Sequence, residues 1–206
     1  MANSTINLDS LARVLQTYDG RDRGLRSVSF YIKIISQSKR YRNKEKELLA
    51  FAKQLSTARL AMRQFHHPYR INSMIKLLHH NHPDLFEHYC HITISMIYSV
   101  HGLVELAAWL SDSRLLSYDA SNLFTLCTRM WVAALFFSII KELRVMYKKP
   151  GGNRREHRIV LTGLICDFIA AINSLPKGFL WSNRLSTRTS ATFSLIASLI
   201  GLYKLF

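Results

Sequence analysis

The chain has 206 residues, 49% of them hydrophobic, and a net charge of +15. That length fits one domain, or a small soluble part joined to membrane spans. Basic nucleic-acid binders are ordinarily more polar, and no recognised nucleic-acid module occurs, so the composition argues against that class. Charge is also sorted along the chain. Residues 1–80 hold 15 Lys and Arg against 5 acids, 81–140 hold 2 against 5, 141–158 hold 7 against 2, and 159–206 hold 4 against 1. Basic blocks alternating with charge-poor apolar blocks suggest juxtamembrane and membrane segments.

The opening MANSTINLDS lacks the basic and apolar regions of a secretory signal, so synthesis on free ribosomes is expected. Leu8, Leu11, Leu15 and Tyr18 predict a short amphipathic helix closed at Gly20. A second helix is expected from about Asp22, with Leu25, Val28, Ile32 and Ile35 as its apolar line and Arg21, Arg23, Arg26 and Lys33 supplying positive charge. Ser36 to Glu47 reads as a charged linker. Lys44 to Phe65 is the most regular helix of the chain. Leu48, Phe51, Leu55, Ala58, Met62 and Phe65 recur at steps of three and four, which at about 100° per residue gathers them into one stripe. Lys53 lies opposite the stripe, while Arg59 and Arg63, one turn apart, line a flank. Two readings stand open: a core helix of a soluble bundle, or an interfacial helix whose stripe enters the headgroup boundary while its Lys and Arg meet anionic phospholipid.

Pro68 separates this helix from a shorter one carrying Ile71, Met74, Ile75 and Leu78. The run His79 to Pro83, with His88 and His91, raises a metal reading, but HExxH, paired cysteines and convergent carboxylates are missing, so loop or interface histidines and no metal are expected. Ile92 to Ser111 is long enough to cross a bilayer, with His101 and Glu105 as its ionisable groups; a buried helix of a soluble domain is the alternative. Asp119 or Ser121 can cap the next helix. Its apolar core, Met130 to Ile140, lies between Arg129 and Lys141 and makes a full span only if Arg129 snorkels.

Tyr147 to Arg158 is a basic linker broken by Pro150-Gly151-Gly152. Ile159 to Leu175 follows as an apolar helix containing Asp167. Ser186 or Thr187 can cap a closing helix, Thr189 to Phe206, expected to be the best single span. On it Ser194, Ala197, Ser198 and Gly201 form a small-residue face suited to close helix–helix contact in lipid. Cys90, Cys127 and Cys166 are read as buried free thiols.

The expected fold class is all-α: amphipathic N-terminal helices, then a membrane-embedded helical bundle with a C-terminal transmembrane helix. Residues 1–80 form a basic amphipathic region at a membrane surface, 81–146 carry apolar helices with at least one embedded, 147–158 are the basic linker, and 159–206 are C-terminal membrane helices. No GxSxG, Walker or GxGxxG motif occurs, so neither an enzyme nor a cofactor is expected.

Leu8-Asp9-Ser10-Leu11 followed by Gly20-Arg21-Asp22-Arg23, then Leu55-Ser56-Thr57-Ala58-Arg59 with Arg63, stand in a recognisable order. They are followed by Asp167, Ala170-Ala171-Ile172-Asn173, Leu175-Pro176, Gly178-Phe179-Leu180-Trp181, Leu185-Ser186 and Gly201-Leu202-Tyr203. In these the chain resembles the peroxisomal membrane protein 11 family, most of all its gamma-type members. Arg23 stands where Lys is common in that family, and the His-rich run is not one of its features. The resemblance implies a multi-pass integral protein of the peroxisomal membrane that remodels and elongates the membrane before fission. The implied partners are further copies or paralogues, a fission adaptor, a dynamin-like GTPase and a membrane-protein import receptor. A metabolite-conducting bundle is the alternative, with Glu105, Arg129 and Asp167 as candidate polar linings.

Overall fold

The computed structural model describes residues 8–80, 84–148 and 154–206, and among them places eight α-helices and no strand. These are α1 (Leu8–Gln16), α2 (Tyr18–Ser36), α3 (Glu45–Gln64), α4 (His67–Leu78), α5 (Leu85–Asp112), α6 (Ala120–Lys148), α7 (Arg154–Asn173) and α8 (Thr187–Tyr203), with a 3₁₀ segment at Lys39–Lys44. The run Asn81 to Pro83 and the break Pro150-Gly151-Gly152 lie outside the described residues.

Polar side chains decide where the helices begin. Thr17, in extended conformation, accepts a hydrogen bond from the Gly20 amide at 3.0 Å and donates to the Val14 carbonyl at 2.7 Å. The break therefore falls at Thr17, three residues before the glycine expected to close α1. Gly20 sits inside the first turn of α2, where a Cβ would run into the Val14 carbonyl, so the tight return of the chain requires glycine. Asp84 caps α5 through the amides of Phe86 (2.9 Å) and Glu87 (3.3 Å), starting that helix seven residues ahead of the apolar run. Asp119 accepts from Ser121 and Asn122 at the head of α6, and Ser186 from Thr189 at the head of α8. Pro68 occupies the first turn of α4, where its missing N–H costs nothing. The charged linker expected over 36–47 shrinks to the 3₁₀ segment and its flanks.

The chain divides into two compact units, one of residues up to Met62 with Ser186–Phe206, the other Arg63–Leu185. In the first, α2 packs along α8 and α1 packs on α2. In the second, α4, α5, α6 and α7 each pack on the next. The hydrophobic centre of the second unit lies between α6 and α7, where Val132, Leu135, Ala171, Ile172 and Leu175 meet under Trp131, Phe168 and Trp181. The closing motifs tie this region off. The Asn173 side chain accepts from the Leu185 amide at 2.9 Å and donates to its carbonyl at 3.3 Å, and the Trp181 indole donates to the Ile169 carbonyl at 3.0 Å.

Candidate functional site

Away from that apolar centre, part of the burial runs opposite to that of a soluble bundle. On α5 the buried residues include Glu87, His101, Gly102, Glu105 and Ala108, while Met96, Val100 and Leu103 face outward. On α6 Ala134 is fully buried and Phe136 and Leu143 are half exposed. The first unit repeats the pattern: Ser29, Ser36, Ala52, Ala197 and Ser198 lie inside, and Tyr31, Phe51, Ile196 and Leu199 outside. Small residues inside let helix backbones close on one another, and large apolar residues outside suit a surface covered by lipid or another protein. Among the described residues two helices, α5 and α6, are long and apolar enough to cross a membrane. α8 has 17 residues, about 26 Å, the lower limit for a crossing.

The four small residues read as a contact face, Ser194, Ala197, Ser198 and Gly201, are buried on α8, which packs against α2. A Cβ on Gly201 would meet the Arg23 guanidinium, so the last turns of α8 lie under that side chain.

α3 holds the residues expected at a membrane surface except Phe65, which lies in the turn after it. Phe51, Lys53, Ala58 and Phe65 are exposed, Phe65 at 87%, whereas Leu48, Leu55 and Met62 are partly covered. The buried face of α3 is the neighbouring one, centred on Ala52, whose carbonyl accepts from Ser29 and Ser56, both at 3.1 Å. Arg59 and Arg63 turn towards carboxylates of their own chain. Arg59 forms a two-point pair with Asp22, and Arg63 approaches Glu105 at 3.3 Å.

Around Glu105 lies a polar seam that periodicity did not disclose. His67 is buried against α5 where Gly102 has no side chain, and its Nε2 lies 3.1 Å from Gln64 Oε1. Burial lowers the His67 pKa below the ordinary 6.5, with Arg70, Arg63 and His66 adding repulsion. At the other end of α5, Asp84 meets Lys148 and lies 3.6 Å from Arg144. The Lys148 hydrogen bond is the main reason that the Asp84 carboxyl is held well below the usual carboxylate range. Lys141 lies 3.2 Å from His91, and His157 lies 2.7 Å from Glu142. The register of these contacts makes α5 and α6 antiparallel. Of the groups considered as channel linings, Glu105 faces Arg63, Arg129 is exposed on α6 and Asp167 is partly covered on α7. Among the described residues no three His, Cys, Asp or Glu side chains gather as metal ligands. One signal could have disclosed the seam: acids inside apolar stretches, each needing a cation.

The family model described as peroxisomal biogenesis factor 11 (PEX11) matches residues 8–158. The human protein named peroxisomal membrane protein 11C is 24% identical over an alignment 226 positions long, which covers 96% of this chain and 94% of the human one. No solved structure matches. The matched segment holds the Gly20-Arg21-Asp22-Arg23 and Leu55–Arg59 elements, the Asp22–Arg59 pair that joins them, and both helices able to cross a bilayer. The chain belongs to the PEX11 family and is a peroxisomal membrane protein of peroxisome proliferation.

Proposed function

We propose that the chain elongates the peroxisomal membrane by laying the apolar stripe of α3 into one leaflet, so preparing the organelle for fission. Leu48, Phe51, Leu55, Ala58, Met62 and Phe65 enter the acyl boundary. Lys53 meets anionic headgroups. Arg59 and Arg63 hold the helix to Asp22 and Glu105, and reach phosphates only where those pairs open. Inserting a wedge at headgroup depth expands that leaflet and favours positive curvature. The observation that carries this reading is the outward exposure of Phe51, 49%, on a helix whose other face is already occupied, with Phe65, 87% exposed, in the turn that follows the helix.

In this reading α5 and α6 cross the bilayer and α8 adds a C-terminal span. The small face of α8 is engaged by α2, so self-association, with a second copy or a paralogue, uses other surfaces. A fission adaptor and a dynamin-like GTPase act on the elongated membrane, and an import receptor reads 147–158 with its flanking helices; these partners rest on the family resemblance.

The test uses the full chain reconstituted into vesicles of about one-third anionic lipid and viewed by electron microscopy. Wild type should draw tubules, and Leu55→Glu with Met62→Glu should leave vesicles round while retaining its helical circular dichroism. Tubules persisting in that folded variant would sink the mechanism.

A further inference from the structure

We propose that the cleft between the first half of α6 and the loop after α7 binds the headgroup of an anionic glycerophospholipid drawn from the surrounding bilayer. The cleft encloses about 480 Å³ and lies wholly within the second unit. Val132, Leu175, Pro176 and Phe179 give it an apolar wall, and Arg129 and Lys177 give it two cations, with no acid in its lining. Neither cation has an ion-pair partner among the described residues, whereas Arg59, Arg63, Arg144 and Lys148 each face a carboxylate. Two unneutralised cations over an apolar wall are complementary to a phosphate joined to an acyl chain. A guanidinium also presents its N–H groups in a fork that fits phosphate oxygens.

Position supports the same occupant. Arg129 interrupts the apolar run of α6, a helix able to cross a membrane, and a cation there is tolerable at headgroup depth but costly at mid-bilayer. Trp131 and Trp181 pack beside the cleft wall, and tryptophans favour the same interfacial level. Gly178, with φ of 112°, makes the turn that brings Lys177 and Phe179 to one cleft. Nothing in this site uses α3, so it stands or falls separately from leaflet insertion.

The experiment is native mass spectrometry of the full chain in detergent, titrated with phosphatidylserine, phosphatidylcholine or oleate. Phosphatidylserine should give one saturable adduct. Near a membrane surface each basic residue contributes roughly a fivefold preference, so Lys177→Gln should weaken the adduct about fivefold and Arg129→Gln with Lys177→Gln about thirtyfold. Lys177→Arg should bind as wild type, and because Lys177 is exposed on a loop, that pair of single variants decides even where the double variant misfolds. Equal binding of phosphatidylserine and phosphatidylcholine, or Lys177→Gln binding as wild type, overturns the site. Displacement of phosphatidylserine by oleate overturns the choice of a phospholipid.

Discussion

Asp22 and Arg59, 37 residues apart, meet through two parallel hydrogen bonds, Nε to Oδ1 at 2.9 Å and Nη2 to Oδ2 at 3.2 Å. The pair joins two stretches that look unrelated in sequence, Gly20–Arg23 and Leu55–Arg59, and fixes which face of α3 turns inward. With Arg59 held beside α2 and Ala52 on Ser29, the face carrying Phe51 is the one left outside. The ion pair of the first unit thus sets the orientation of the proposed membrane wedge.

Because both partners are mostly covered, removing either leaves a charge poorly solvated. Asp22→Asn or Arg59→Gln is expected to cost about 2 kcal/mol, at the level of a charge-assisted hydrogen bond. Thermal unfolding of the full chain in detergent should show the loss, and the exchange Asp22→Arg with Arg59→Asp should recover part of it. Lys53→Glu, on an exposed residue, should leave the unfolding temperature within about a degree and weaken binding to anionic vesicles only. If Arg59 variants lose vesicle binding with no change in stability, the guanidinium serves lipid and not the fold.

Arg63 and Glu105 form the matching pair in the second unit, where the Glu105 side chain is 7% exposed and that of Arg63 is 25%. Glu105→Gln should destabilise by about 3 kcal/mol, because a partly buried guanidinium loses its counter-charge. Replacing both by Leu should recover most of that loss. If Glu105 instead lined a conducting path, Glu105→Gln would change bilayer conductance while stability stayed level.

Gly102 and His67 fit because one lacks what the other occupies: a Cβ at residue 102 would clash with the imidazole. Gly102→Ala should displace α4 from α5 and cost about 1–3 kcal/mol. His67→Ala, which empties that space, should make the glycine substitution nearly neutral. A double-mutant cycle with no coupling would show that the two helices do not pack this way.

Much of this was legible in the chain itself. The stripe of α3, the apolar runs of α5 and α6 and the caps at Asp119 and Ser186 follow from periodicity and side-chain chemistry, which act within a few residues. Gly20 misled because a glycine after a helical run ordinarily caps it, and here Thr17 three residues earlier supplies the cap. The inward direction of Arg59 was hidden for another reason. A helix flank looks the same in sequence whether its partner is a lipid phosphate or a carboxylate 37 residues away, and only tertiary packing tells Asp22 from solvent. His67 and Gly102 were hidden likewise, since a glycine within an apolar helix gives no sign of what will lie upon it.

His67 also gives the second unit a pH dependence with a definite sign. Burial is the main cause that lowers its pKa, and Arg70, Arg63 and His66 lower it further, while Gln64 Oε1 lies 3.1 Å from Nε2 as an acceptor. A lowered pKa means that the unfolded chain takes up a proton first, at about 6.5. Stability is therefore full above that pH and falls as acidification proceeds through 6.5 towards the folded value. Asp84, held below the usual carboxylate range chiefly by Lys148, contributes in a separate window. Its share is complete above about pH 4 and is lost only below it. Melting the full chain in detergent between about pH 7.5 and 5.5 should show a falling midpoint that becomes shallower in His67→Gln, while the steeper loss below about pH 4 persists in that variant and becomes shallower in Asp84→Asn. If His67→Gln leaves the upper slope unchanged, the imidazole is solvated in the folded state and its seat on Gly102 is wrong.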